Sequence, residues 1–224
     1  MIEPRAVLWD LDGTLIDSEE FHWIAWRDTL ANRGISITRE QFLSSFGQRN
    51  DAVISQWLGA AATADRIAEI ANAKEQLYRD LIRKNGIQPL PGVATWVRRL
   101  HEQGWFQAIA SSAPRLNIDA VLDALGSAKY FEVIVSAEEV QRGKPDPEVY
   151  ITAGSRVGTP PARCIVVEDA AAGIEGARKA GMWTIGVSRH AQPLPADIVV
   201  QSLDLLAEDA FERLLESRPL HSSD

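Results

Sequence analysis

The sequence predicts an α/β fold in which a doubly wound parallel sheet carries an inserted all-helical region. Three observations predict this fold. The first strand, Ala6–Trp9, is wholly apolar and is soon followed by Gly13, which is typical of a strand buried on both faces. Residues 18–87 then show helical patterns with no strand-like alternation. From Val93 onward helices and strands alternate, as right-handed crossovers between parallel strands require.

The inserted region is predicted to contain four helices. Asp17 is a candidate N-cap with Glu20 three positions on, and Thr38 with Gln41 forms a second capping box. The helices are expected to end at Gly34 and Gly47, to begin again near Asn50, and to run from about residue 63 to residue 85. Turn-forming residues at 89–92 close the region. We therefore assign residues 18–87 to a helical cap domain, and residues 1–17 with 88–224 to a Rossmann-like core.

The core is predicted to alternate between the two element types as far as its polar end. Strands are expected at residues 106–110, 131–135, 164–167, 182–187 and 198–200, with helices at 93–102, 115–125, up to 157 and up to 180. The polar residues 217–224 are expected to be frayed. A parallel sheet wound in both directions follows from this order.

The composition excludes several classes of protein. The net charge of -8 argues against a nucleic-acid binder, because phosphate affinity needs a basic face. The single cysteine, Cys164, lies in an apolar run and is expected in the core, so no disulfide framework is possible within one chain. No signal segment and no apolar run of membrane length is present. We expect a monomeric cytoplasmic protein with neither a nucleic-acid nor a membrane partner.

Two carboxylates follow the first strand directly. Asp10 and Asp12 repel one another unless a cation lies nearby or one of them holds a proton. A calcium loop is excluded, because the sixth and twelfth positions counted from Asp10 are Leu15 and Phe21 instead of glycine and glutamate. The pair therefore predicts either a site for a hard metal ion or an acid–base couple.

Further reactive side chains follow other predicted strands. Ser111 follows the strand at 106–110, and Glu168 and Asp169 follow the strand at 164–167. Lys144 lies in a loop before Pro145, which restricts its backbone. Taken singly, each has an ordinary explanation as a helix cap or a solvated cation. Ligands of parallel sheets collect beyond the carboxyl ends of the strands, so together these residues predict an active site there.

These residues resemble the four ordered motifs of the haloacid dehalogenase superfamily. The motifs are the Asp10–Asp12 segment, Ser111, Lys144 with Pro145, and Glu168 with Asp169, and they span nearly the whole chain. The helical insertion resembles the cap of the subgroup that contains beta-phosphoglucomutase and sugar-phosphate phosphatases. The resemblance implies Mg²⁺-dependent phosphoryl transfer through an aspartyl phosphate.

The resemblance also implies a role for each core residue. Asp10 would be the nucleophile, and Asp12 would protonate the leaving oxygen and then activate water. Since dehalogenases of the superfamily lack an acid at the second position, Asp12 favours phosphate chemistry. Lys144 and Ser111 would bind the phosphate. The implied metal ligands are Asp10, Asp12 through its backbone carbonyl, Asp169, and Glu168 directly or through water.

Substrate-binding residues are implied mainly in the cap. His22 and Trp26 share one face of the first helix, and Lys74 interrupts an apolar stripe, although core packing and a snorkelling lysine explain the same spacing. The resemblance points these three residues toward the substrate, and it implies that Arg49 contacts the phosphate that is not transferred. After Ser111, the mutase pattern has serine, lysine and asparagine where this chain has Ala113, Pro114 and Arg115. Ser112 and Arg115 remain candidate substrate ligands in this segment.

The sequence thus favours a Mg²⁺-dependent phosphatase acting on a small phosphorylated metabolite, with a sugar phosphate as the expected substrate. A hexose-phosphate mutase that uses the same aspartyl phosphate but excludes water is the alternative. A non-catalytic phosphoacceptor or binding module is a third hypothesis, although it would need neither Asp12 as an acid nor a cap over the site.

Overall fold

A computed structural model describes residues 3–189 and 193–217, and its sheet confirms the predicted fold class. The six strands are β1 (Ala6–Trp9), β2 (Phe106–Ala110), β3 (Val133–Val135), β4 (Cys164–Glu168), β5 (Trp183–Val187) and β6 (Ile198–Val200). All pairs are parallel, in the order β3-β2-β1-β4-β5-β6. The chain winds one way from β1 to β3 and the other way from β4 to β6. The switch point therefore lies between the neighbouring strands β1 and β4, where open α/β sheets bind ligands.

Four α-helices make up the insertion that follows β1. They are α1 (Glu19–Ala31), α2 (Arg39–Ser45), α3 (Asn50–Leu58) and α4 (Ala64–Asn85). The capping box at Thr38 is confirmed, since Gln41 N donates to Thr38 Oγ1 at 3.1 Å and Thr38 N donates to Gln41 Oε1 at 2.8 Å. Among the described residues, no helix is both long enough and apolar enough to cross a membrane.

The prediction that Asp17 caps α1 is wrong. The N-cap is Ser18, and its side chain makes no capping bond because its hydroxyl donates to the carboxylate of Asp12 instead. Asp17 forms an ion pair with Arg189 at 2.8 Å. The N-cap residue of α1 therefore bonds to Asp12, just beyond the carboxyl end of β1, and does not cap the helix with its side chain.

Five helices cover the sheet. They are α5 (Val93–Glu102), α6 (Arg115–Leu125), α7 (Glu148–Arg156), α8 (Ala171–Lys179) and α9 (Ala210–Glu216). The third strand begins at Val133 rather than at residue 131, and a short helical turn at Ala128–Tyr130 precedes it. Residues 218–224, most of the end predicted to fray, lie outside the described residues.

Side chains of β1 alternate between two apolar layers. Val7 and Trp9 pack in the layer formed with α5, α6 and α9, whereas Ala6 and Leu8 pack in the layer formed with α7 and α8. Cys164 is buried in the second layer, as predicted. Full burial of a large apolar side chain, such as Leu8 of β1, stabilises the folded state by roughly 1.5–3 kcal/mol. This explains why β1 is wholly apolar.

The helical insertion has an apolar cluster of its own. Its fully or nearly buried members are Trp26, Leu30, Phe42, Val53, Ile54 and Ile70. The two crossings into the insertion lie side by side, because Leu90 N donates to Leu15 O at 2.9 Å and Ile16 bridges to Pro89. This arrangement agrees with the predicted division at residues 17/18 and 87/88, although the division itself stays a prediction.

Candidate active site

A cavity of about 550 Å³ lies between the carboxyl ends of the strands and helices α1–α4. Its lining brings together the reactive residues predicted in the core, which are Asp10, Asp12, Ser111, Lys144, Glu168 and Asp169. The lining also includes His22, Trp26, Arg49, Lys74 and Ser112 from the predicted substrate-binding set. Residues far apart in the sequence meet here because β1 and β4 are neighbours at the switch point.

The cavity floor is formed by Asp10, Lys144, Glu168 and Asp169. Lys144 is the positively charged residue among them. Its Nζ donates to Asp10 Oδ1 at 2.5 Å and to Glu168 Oε1 at 2.7 Å, and its side chain is only 8% exposed. Tyr150 OH also donates to Glu168 Oε1 at 3.1 Å, and Ala170 N donates to Glu168 Oε2 at 2.7 Å. A buried charge needs such partners, because an unpaired one is costly to desolvate.

The acids of the floor carry more negative charge than Lys144 balances. Burial raises the pKa of Asp10 to about 7, even though Lys144 lowers it, and Glu168 raises it further. Burial, followed by the charges of Glu168 and Asp10, also raises the pKa of Asp169 well above its usual value. Burial would lower the pKa of Lys144, but Asp10 and Glu168 hold it well above its ordinary value. An added cation would relieve the excess charge.

Three of the acids fit a hard divalent cation. One carboxylate oxygen from each of Asp10, Glu168 and Asp169 lies within 4.8 Å of the others. All are oxygen donors, which Mg²⁺ and Ca²⁺ prefer. The carboxylate of Asp12 is outside this group, and its predicted contribution through the backbone carbonyl stays a prediction. The chemistry of the donor set therefore supports a cation site at the predicted place.

Glycine allows two of these acids to approach the backbone. A Cβ added to Gly13 would lie 1.9 Å from Asp169 Oδ2, and one added to Gly173 would lie 1.8 Å from Glu168 Oε1. Gly13 also has a φ of +86°, which disfavours other residues. Both glycines make room for carboxylates of the cation site.

Asp12 is held by the first cap helix. Its Oδ1 accepts from Ser18 Oγ at 2.5 Å and lies 3.2 Å from His22 Nε2. Burial alone would raise the pKa of Asp12, but the contacts with His22 and Ser18 bring it below the ordinary value. Asp12 is therefore a carboxylate in this arrangement, the form that can take a proton from water. The predicted role of Asp12 as an acid requires its contacts with Ser18 and His22 to change, because these contacts favour the carboxylate form.

His22 connects Asp12 to Lys74. Its Nδ1 lies 2.9 Å from Lys74 Nζ, and its ring stacks on Tyr78 with 4.1 Å between centroids. Since an ammonium group can only donate, Nδ1 accepts this bond, and the ring proton on Nε2 points to Asp12. His22 is thus a hydrogen-bond bridge between the sheet and the cap.

The part of the cavity lining that the helical insertion contributes is called the cap wall here. Lys74 is buried in it. It is 2% exposed, donates to Glu75 Oε1 at 2.7 Å and lies 5.0 Å from the ring centre of Trp26. The lysine does not snorkel to solvent, which was the ordinary explanation for its place in an apolar stripe. Trp26 is 5% exposed and belongs to the apolar cluster of the insertion while also lining the cavity.

Two arginines of the predicted substrate-binding set differ in position. Arg49 lines the cavity and reaches the core, where its Nη1 donates to Ala137 O at 3.1 Å. Arg115 is exposed, pairs with Asp119 at 2.9 Å, and is not among the described residues that line the cavity. The structure therefore does not bring Arg115 to the other candidate residues, and its role in substrate binding stays a prediction.

Sequence reasoning missed four residues that organise the site. Ser18 holds Asp12, Tyr150 holds Glu168, and Asn117 Nδ2 donates to the buried carboxylate of Glu75. A signal existed for Glu75, because it shares helical spacing with Tyr78 and Ile82 on a buried face of α4. Tyr150 and Asn117 gave no such signal, since their partners come from distant parts of the chain.

Comparisons with known proteins agree with this geometry. A family model described as haloacid dehalogenase-like hydrolase matches residues 7–187. Protein CbbY of Rhodobacter capsulatus is 35% identical over 193 residues, which cover 82% of this chain and 85% of that protein. Beta-phosphoglucomutase of Bacillus subtilis (strain 168) is 32% identical over 227 residues, covering 96% and 100%. Hexitol phosphatase B of Escherichia coli (strain K12) is 31% identical over 220 residues, covering 93% and 99%.

A solved structure shows the same fold. The crystal structure of beta-phosphoglucomutase from Clostridium difficile superposes with a TM-score of 0.85 at 26% identity. The match covers 95% of this chain and 97% of that one. The similarity therefore includes both the sheet and the helical insertion.

Proposed function

Because the chain belongs to the haloacid dehalogenase-like hydrolase family, we propose that it is a Mg²⁺-dependent phosphatase of small phosphomonoesters. We infer that its substrate is a sugar phosphate and that Asp10 forms an aspartyl phosphate. The observation that best supports this function is the convergence of Asp10, Lys144 and the acids Glu168 and Asp169 in one cavity. The phosphatase relative supports the same class of reaction.

The proposed reaction has two displacements at phosphorus. In the first, Asp12 has taken up a proton from solvent as its contacts with Ser18 and His22 change. A carboxylate oxygen of Asp10 forms a bond to phosphorus, the bond to the sugar oxygen breaks, and Asp12 gives that oxygen its proton. In the second, Asp12 takes a proton from water, the water oxygen bonds to phosphorus, and the Asp10–phosphorus bond breaks. Inorganic phosphate leaves, and both aspartates return to their starting forms.

The remaining core residues bind and orient the phosphate in this proposal. Lys144 offsets negative charge on the phosphoryl oxygens, and Ser111 binds one of them. Asp10, Glu168 and Asp169 would hold Mg²⁺, which supplies positive charge against the repulsion between carboxylate and phosphate. The contact of Asp12 with Ser18 and His22 on α1 links proton transfer to the position of the cap.

The cap would cover the leaving group. Trp26, Lys74 and Arg49 line the cavity from the helical insertion and are proposed to contact the sugar. Ser112 lines the core side and is proposed as a further ligand. The expected monomer, the cytoplasmic location and the lack of a nucleic-acid partner stay predictions from composition.

A phosphomutase is the second candidate. The Bacillus subtilis relative, named a beta-phosphoglucomutase, aligns along 96% of this chain and favours it. Against it stands the segment Ala113, Pro114 and Arg115, which lacks the polar residues of the mutase pattern. Arg115, the one basic residue of that segment, pairs with Asp119 outside the cavity. The phosphatase therefore remains the preferred function.

Phosphate release from a panel of phosphomonoesters, with and without Mg²⁺, tests this proposal. We expect Mg²⁺-dependent release that the Asp10→Asn variant loses while its circular dichroism spectrum stays that of the wild type. Isomerisation of beta-glucose 1-phosphate without net release would instead favour the mutase. Neither activity, in a folded protein that still binds phosphate, would favour the non-catalytic module. Full activity of Asp10→Asn would disprove the covalent route.

A further inference from the structure

Two helices of the insertion pass from the apolar layer of the sheet into the apolar cluster of the cap. On α4, Tyr78 and Ile82 pack in the layer formed with α5, α6 and α9, whereas Ile70 packs in the cap cluster. On α1, Ala25 packs in that layer and Trp26 in the cap cluster. Buried polar side chains lie where each helix makes this change, and such groups need hydrogen-bond partners.

Asn117 joins this polar region to the core. It lies in the first turn of α6, the helix that follows Ser111 and Ser112, and it is 1% exposed. Its Nδ2 donates to Glu75 Oε2, and its Oδ1 accepts from Arg79 Nη1 at 3.0 Å. Both ends of one buried amide from the core are therefore bonded to α4 of the cap.

Glu75 passes this connection on to Lys74. It is 6% exposed, and its Oε1 accepts from Lys74 Nζ and from Asn50 Nδ2, each at 2.7 Å. Burial would raise the pKa of Glu75, but Lys74 and the other contacts bring it below the ordinary value, so the group is ionised. The carboxylate, fixed by Asn117 on its other oxygen, therefore fixes the ammonium group of Lys74.

Lys74 and His22 complete the connection to Asp12. Lys74 Nζ lies 2.9 Å from His22 Nδ1, and His22 Nε2 lies 3.2 Å from Asp12 Oδ1. The bond from the ammonium group occupies Nδ1 and places the ring proton on Nε2, which faces Asp12. An unbroken series of hydrogen bonds thus runs from the core helix α6 through the cap to the acid–base residue.

We propose that Asn117 is a positioning residue for proton transfer by Asp12. It holds Glu75, and Glu75 holds the ammonium group that sets the tautomer and the orientation of His22. Asn117 is not among the described residues that line the cavity, so it acts only through these partners. The inference rests on the proposed phosphatase function and adds to it the residue that anchors the acid–base group from outside the cavity.

A pair of aryl phosphates tests this role. 4-Nitrophenolate leaves without a proton, whereas phenolate is a poorer leaving group that benefits from one, and neither carries a hydroxyl group for the cap wall. Because kcat/KM covers the steps up to release of the leaving group, the ratio of the two values reports proton donation by Asp12. We expect Asn117→Asp to raise the ratio of 4-nitrophenyl phosphate to phenyl phosphate at least fivefold, in the same direction as Asp12→Asn.

A second substitution should restore the ratio. Asn117→Asp replaces the donor that faces Glu75 by an acceptor, and Glu75→Gln then supplies a donor in the opposite direction. We expect each single variant to raise the ratio and the double variant to return it to within twofold of the wild type. Asn85→Asp is the matched control, because its amide is exposed on the same cap helix and donates only to Leu81 O, at 2.9 Å. It should leave the ratio unchanged.

Nitrogen NMR of the histidine rings tests the series of bonds without any substrate. The chain has four histidines, and the loss of signals in His22→Gln assigns those of His22. At pH 8 we expect the wild type to carry the ring proton on Nε2, with Nδ1 unprotonated. Asn117→Asp should populate the other tautomer as well, and the double variant with Glu75→Gln should restore the first.

The outcomes separate this inference from the proposed function. An unchanged ratio or an unchanged tautomer in folded Asn117→Asp would overturn the inference and leave the phosphatase intact, and so would a double variant no better than its single variants. A merely structural role would lower both aryl phosphates equally. If Asn117→Asp does not fold, Asn117→Ala takes its place. If only sugar phosphates are hydrolysed, the tautomer decides. No release from any phosphomonoester would overturn the proposed function and the inference with it.

Discussion

Replacing Lys144 by methionine tests the electrostatics of the cavity floor most directly. The ammonium group lies 2.5 Å from Asp10 and 2.7 Å from Glu168, and all three side chains are at most 10% exposed. Removing one partner of a buried ion pair costs roughly 3–5 kcal/mol, because it leaves an uncompensated buried charge. We expect Lys144→Met to lose about that much free energy of unfolding at pH 8 without Mg²⁺, and kcat to fall roughly 10²–10³-fold.

The stability loss should depend on pH in a defined direction. The pKa of Asp10 in the folded protein is about 7, above its ordinary value of 3.8. The stability that a protonated Asp10 provides is therefore complete below pH 4 and is lost as the pH rises through 7. Lys144 lowers this pKa, so the variant raises it further and increases the loss. At pH 5 Asp10 is largely protonated in both proteins, and only the contact with Glu168 is missed.

Urea unfolding in EDTA measures both effects. With a slope of about 2 kcal/mol per molar urea, the expected loss lowers the midpoint by roughly 1.5–2.5 M at pH 8 and by less at pH 5. Lys179→Met is the matched control, because Lys179 pairs with Glu175 at 2.7 Å while half exposed. An exposed pair of this kind is worth less than about 1 kcal/mol. Equal midpoint shifts for the two variants would refute the reasoning about the buried pair.

Two further substitutions complete the set, and the second has a matched control. Asp12→Asn should lower kcat roughly 10²–10⁴-fold, since proton transfer at both displacements is lost, and a rapid-quench assay for the phosphoenzyme should show which displacement is slower. A kcat within threefold of the wild type would contradict its proposed role. Gly13→Ala should reduce affinity for Mg²⁺ at least tenfold in a calorimetric titration, because its Cβ would lie 1.9 Å from Asp169 Oδ2. Gly104→Ala, whose glycine has a φ of +75° but open space around it, should leave metal affinity unchanged.

The sheet and the cavity floor could be predicted from the sequence because each of their signals is local. An apolar run followed by polar residues marks the carboxyl end of a buried strand, as at Trp9 and Asp10 or at Val167 and Glu168. The rule that ligands gather beyond such ends then places the residues together without any knowledge of distances. Only small shifts of element boundaries separate these predictions from the structure.

The cap wall could not be predicted in the same way. Glu75 meets Asn117, which is 42 residues away on a core helix, and nothing in either local pattern indicates the pairing. Ser18 was expected to lie inside a helix capped by Asp17, but its hydroxyl is used by Asp12. Contacts of this kind depend on how the insertion lies against the sheet, which a local pattern does not specify.

Asp12 lies between Asp10 and the polar side chains of the insertion, and this location connects the chemical step with binding of the leaving group. On one side it follows the strand that carries Asp10, and on the other it contacts His22, which leads through Lys74 to Glu75. Lys74 donates to both His22 and Glu75. A leaving group that bonds to Lys74 or Glu75 therefore competes for the ammonium group that orients His22. Because His22 and Ser18 hold Asp12 as a carboxylate, occupancy of the cap wall can alter the basicity of the acid–base residue. A substrate without hydroxyl groups at that end should then lose kcat as well as affinity, since remote contacts contribute to the chemical step.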